Sequence, residues 1–150
     1  MTVSNEMQVR LQKIKDHLSK NNLQVVKQMG FRPAIQSSSK SAAKAMPIGG
    51  DGAGFSWIAF CWPFAVLTQI REFSYFGVAS IVFIISAWLH VITGVDLSSF
   101  VGVVLGICYG YWFPYLRYLA IQEGRQEFSV LASFILGIAL WLAALIPSIV

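Results

Sequence analysis

The sequence predicts an all-α integral membrane protein: three transmembrane helices, preceded by an interfacial or re-entrant helix and an N-terminal amphipathic helix. Three observations carry this. Of 150 residues, 56% are hydrophobic and only 12% charged, where soluble domains carry about 25% charge. Four uncharged runs, 52–70, 73–95, 97–116 and 128–150, fill the second part of the chain. The charge is also lopsided. Residues 1–50 hold eight basic side chains against Glu6 and Asp16, while residues 51–150 hold Arg71, Arg117 and Arg125 against five acids and no lysine. This composition argues against a disordered chain, a disulfide miniprotein or a freely soluble enzyme.

The first segment, residues 1–33, reads as a basic amphipathic helical arm. Met7, Leu11, Ile14, Leu18, Asn21 and Val25 recur at alternating steps of four and three, a heptad seam with one polar interruption. Ser4 or Asn5 suits the N-cap, Gly30 a left-handed stop, and Pro33 forbids continuation, so one helix is expected from Ser4 to Met29. Its apolar residues Met7, Leu11, Ile14, Leu18 and Val25 form a docking seam for another helix, a groove in a larger partner, or the anionic inner membrane surface. Residues 34–54, rich in serine and glycine, read as a flexible linker. Gly49, Gly50, Gly52 and Gly54 match a phosphate loop in glycine content alone, because no Gly-Lys-Ser/Thr follows.

Residues 55–150 form the expected membrane domain. Its opening stretch, 55–70, is short, crowded with tryptophan and phenylalanine, and interrupted by Pro63, which suits the bilayer interface. An interfacial or re-entrant helix is expected there, with a short tilted span as the alternative. Spans are expected at 73–94, 97–119 and 128–148, since about 20 apolar residues cross a hydrocarbon core. Three spans with a cytoplasmic N-terminus and an opposite C-terminus put all 11 basic residues on one side, as the positive-inside rule asks. Trp57, Trp62, Arg71, Trp112 and Arg117 are the expected membrane-surface anchors. No secretory signal peptide is expected, because the first apolar run begins past residue 50.

The second span carries two overlapping small-x-x-x-small units, Gly102, Gly106 and Gly110. Glycines on one helix face let backbones approach closely where no hydrophobic effect drives association in lipid. The groove is expected to pack within the chain, against Ser80, Ala87 and Gly94 or Gly137 and Ala144, with a neighbouring subunit as the alternative. His90 is the one titratable side chain well inside an apolar run. It is the single candidate cofactor ligand or proton relay, although a histidine near the outer interface also simply reaches water. Asp96 is placed to cap the second span. Cys61 and Cys108 fit no metal or redox spacing, and Glu123, Arg125 and Glu127 suit a solvated connector.

No nucleophile–base set, close carboxylate pair or metal-binding cluster is visible, so neither enzymatic activity nor a cofactor is expected. The stretch Phe55-Ser-Trp-Ile-Ala-Phe60 with Pro63, followed by closely spaced spans, resembles an uncharacterised bacterial family of small inner-membrane proteins over residues 55–120. That resemblance implies a membrane location, in a bacterial cytoplasmic or thylakoid membrane, and no established activity. The expected function is a non-enzymatic accessory, assembly or scaffold subunit of a larger membrane complex, in secretion, respiratory or photosynthetic machinery. Other membrane subunits or further copies of the chain, and anionic lipid headgroups, would be its partners, and nucleic acid would not. A small oligomeric transporter or channel, and a pigment- or quinone-binding protein, are the alternatives.

Overall fold

A computed structural model describes residues 4–37, 46–47 and 53–145. The protein is mostly helical, with a small β-hairpin, and divides into two compact units. The first comprises residues 1–56 and 111–125, the second 57–110 and 126–150.

In the first unit, α1 runs from Asn5 to Lys20, capped by the Ser4 hydroxyl accepting the Met7 N–H at 3.3 Å. It therefore stops well short of Met29. Asn22 adopts φ 52°, a left-handed conformation that asparagine tolerates and a helix does not. The following residues, Leu23–Gln28, form strand β1, antiparallel to β2 at Arg32–Ser37 with Val25 opposite Ile35. Paired valines favour a strand over a helix. Gly30, expected as a helix stop, instead sits in the hairpin loop at φ 79°, beside Met29 at φ 57°.

The expected linker is also partly structured. Ala34–Ser37 complete β2, and β3 (Met46–Pro47) pairs with it. Residues 38–45 and 48–52 lie outside the described residues. The second half of α5 (Ser98–Gln122) completes this unit. Ile14, Leu18, Val25, Ile35 and Ala53 bury themselves with Tyr115 and Leu119 in one core. Arg10 adds a polar tie, donating from Nη1 to the Phe55 carbonyl at 2.8 Å and from Nη2 to Glu6 at 2.9 Å.

In the second unit, the aromatic entry segment folds as two short helices, α2 (Trp57–Cys61) and α3 (Pro63–Gln69). The break falls at Trp62, φ −132°, because proline is accepted at the first position of a helix and resisted inside one. At about 1.5 Å per residue neither piece is long enough to cross a bilayer. Helix α4 (Ser74–Thr93) ends on Gly94 at φ 73°, whose N–H reaches the His90 carbonyl at 2.8 Å. The first half of α5 and α6 (Val130–Leu145) complete the unit.

Helices α4 and α5 are long and apolar enough to cross a membrane. The expected third span is represented by α6, 16 residues among those described, which is shorter than a full crossing. Residues 146–150 lie outside the described residues.

Candidate functional site

The broken helix α2–α3 is held by glycines. Gly106 on α5 lies under Phe60, so that a Cβ there would stand 3.0 Å from the ring and 3.1 Å from the Phe60 carbonyl oxygen. Gly137 on α6 lies under Phe64, with only 2.8 Å between its would-be Cβ and the Phe64 carbonyl oxygen. The nearest neighbour of Gly106 is therefore the aromatic entry segment, a position for which α4 or the small residues of α6 were the expected partners. A flat ring and a backbone fill a glycine groove as well as another helix does. Gly102 has open space around it, and Gly110 is buried. The three glycines do not act as one surface. Phe64 also meets Trp62, Phe134 and Trp141 at centroid distances of 5.7, 6.0 and 6.1 Å.

The docking seam is already occupied by the chain itself. Met7, Ile14, Leu18 and Val25 are buried and Leu11 is half-buried. The physical reason is that α5 continues past Pro114 to Gln122, offering Tyr115 and Leu119 as a covering surface. The solvent-facing side of α1 exposes Lys13, Lys15, His17 and Lys20.

The expected anchors separate into two groups. Trp57 and Trp62 are exposed, and exposed Arg71 lies 4.6 Å from the centroid of the Phe128 ring. Trp112 is half-buried against Phe31. Arg117, expected to reach headgroups, is only 9% exposed, its guanidinium 6.0 Å from the Phe113 ring. Its neighbours on α5, Tyr115, Leu116 and Leu119, are buried as well. Cys61 is exposed, Cys108 half-buried, and neither forms a disulfide. Glu123 pairs with Arg125, the Arg125 Nε–H donating at 2.6 Å.

Glu72 was missed as a candidate. It is 3% exposed and accepts the Ser74 hydroxyl hydrogen bond ahead of α4. Nearby, Tyr75 meets Tyr109 edge-on at 4.9 Å. Counted as one charge between two apolar runs, it reads as a loop acid. Its only sequence signal is that both neighbouring runs press directly against the Arg71-Glu72 pair.

His90 is exposed and lines a pocket of about 210 Å³ with Phe83, Ser86, Ala87, Asp96 and Ser98. Asp96 accepts the Ser98 N–H at 2.8 Å. Hydrogen bonds from the Ser98 side chain and backbone hold its carboxyl below the usual range, with a smaller contribution from His90. A carboxyl whose pKa is depressed on folding stabilises the turn above the ordinary carboxylate pKa, and that contribution fades as pH falls through the folded value. The wild-type protein should therefore unfold at higher temperature than Asp96→Asn at pH 6, and the gap should close below about pH 4. A constant gap down to pH 3 would refute this account of the turn.

No group of three or more histidine, cysteine, aspartate or glutamate side chains gathers as a metal site among the described residues. No family model, curated protein or solved structure matches the chain.

Proposed function

We propose that this protein is a non-enzymatic membrane subunit, an accessory, assembly or scaffold component of a larger membrane complex. The observation that carries the reading is the apolar surface its long helices leave uncovered. Ile81, Ile85, Trp88 and Ile92 on α4, and Phe100, Val103 and Ile107 on α5, are exposed. In water such faces would aggregate; in a bilayer they meet lipid or neighbouring helices. The open Gly102 on α5 leaves room for a neighbour's backbone.

Three spans, an inward N-terminus and a bacterial inner membrane complete the proposal, with α6 as the third crossing. Charge supports that orientation. The first unit contains ten of the eleven Lys and Arg residues, all but Arg71. Lys13, Lys15 and Lys20 are exposed on α1, where they suit anionic headgroups on the cytoplasmic face.

The test is affinity purification of the whole chain in mild detergent, with co-purifying proteins identified by mass spectrometry. A stoichiometric set of larger membrane proteins is expected. Recovery of the chain as a lone small oligomer would overturn the subunit reading and point to the transporter alternative.

A further inference from the structure

We infer that the pocket between the last turns of α4 and the start of α5 receives a primary ammonium group, from the headgroup of an aminophospholipid or from a free small amine. All six of its lining residues belong to one unit, and four of them are polar.

Ser86 forms the buried part of the site. The residue is 4% exposed and lines the pocket, and its hydroxyl can both donate and accept a hydrogen bond there. His90 follows one helical turn later on the same face. Asp96 stands at the lip, and its bonds to Ser98 leave part of its acceptor capacity unused.

The lining selects the charge of the ligand. No lysine or arginine contributes to it. Asp96 is an anion at neutral pH, while the C-terminal carbonyls of α4 and the N-terminal amides of α5 at Ser98 contribute potentials of opposite sign. The Asp96 charge and the absence of a lysine or arginine disfavour an anionic ligand. A metal ion would find only His90 and Asp96 as strong ligands. The volume, comparable to about seven waters at roughly 30 Å³ each, far exceeds a bare ion. Phe83 and Ala87 supply an apolar wall, and an aromatic face attracts a cation.

A primary ammonium has three donors to divide between Asp96 and the serine hydroxyls, whereas a choline headgroup has none. Ile85, Trp88 and Leu89 are exposed on the same stretch of α4, so an acyl chain has apolar surface beside the pocket.

The experiment is native mass spectrometry of the full chain, released from detergent micelles holding equal amounts of phosphatidylethanolamine, phosphatidylcholine and phosphatidylglycerol. Retention of phosphatidylethanolamine about tenfold above the other two is expected, the weight of one charge-assisted hydrogen bond. Asp96→Asn keeps an acceptor for the Ser98 N–H but removes the charge, and should abolish the preference. Ser86→Ala leaves the turn untouched and should reduce it several-fold. A parallel titration with ethanolamine separates the sources. Ethanolamine that raises the unfolding temperature of wild type but not of Asp96→Asn, without any lipid preference, assigns the site to a free amine. Equal retention of all three lipids with no response to ethanolamine overturns the proposal, as does a lipid preference that survives in both variants.

Discussion

Gly137→Ala should destabilise the protein in detergent by about 1–3 kcal/mol, the usual cost of forcing an extra methyl group into a filled site. The added Cβ would lie 2.8 Å from the Phe64 carbonyl oxygen and 3.1 Å from its carbonyl carbon. Those are backbone atoms at the start of α3, one residue after Pro63, and they have no rotamer through which to move aside. Either α3 shifts away from α6 or the Phe64 cluster with Trp62, Phe134 and Trp141 is broken. Unfolding followed by tryptophan fluorescence should report both the lower transition and the altered aromatic environment. A soluble domain of this size would lose about 2–4 °C per kcal/mol. Gly106→Ala should lie between Gly137→Ala and wild type, since one of its obstacles is the movable ring of Phe60. Gly102→Ala, with nothing within 4 Å, should be neutral in this assay. If all three variants behaved alike, the entry segment would not be seated on these helices.

Ile14→Ala should cost about 2–5 kcal/mol, the range for truncating a fully buried branched side chain. Ile14 is 3% exposed and shares its core with Leu18, Val25, Ile35, Tyr115 and Leu119. No other aliphatic side chain of α1 is as deeply buried, so the cavity would open at the centre of the contact. Trypsin offers the readout, because Lys13, Lys15 and Lys20 are already exposed and only the helical conformation protects them. Cleavage within α1 should accelerate strongly in Ile14→Ala and little in Val9→Ala, whose side chain is exposed. Unchanged cleavage in Ile14→Ala would mean that the arm does not pack on the end of α5.

The long apolar helices were legible because their signal is one of composition. An uncharged run of about 20 residues has few alternatives to a helix, and α4 begins and ends within a residue of the expected span 73–94. The arm shows the opposite case. Val25 belongs to the buried set, as its place in the seam suggested, but it reaches the core from a strand. A period of three to four fitted to six positions does not distinguish a helix that continues from one that stops at Asn21 and Asn22. The hairpin depends on left-handed backbone at Asn22, Met29 and Gly30; Gly30 and, more weakly, Asn22 advertise that conformation in the sequence, and Met29 does not. The glycine seats were half-legible. The spacing of Gly102, Gly106 and Gly110 marked a groove, but nothing local says that an aromatic ring from 46 residues upstream fills the middle position. Ser86 was invisible, since a serine in an apolar helix gains its meaning from the turn that folds back over it.

The packing of α1 on the far half of α5 also sets an order of events during synthesis. Ile14 is made about a hundred residues before Tyr115 and Leu119, the residues that cover it. At roughly 5–20 residues per second, the arm waits on the order of ten seconds for its own partner surface, while two long apolar helices are still to be made. An arm that looks like the first element to fold is thus among the last to close, and its closing records that α5 has been made to its end.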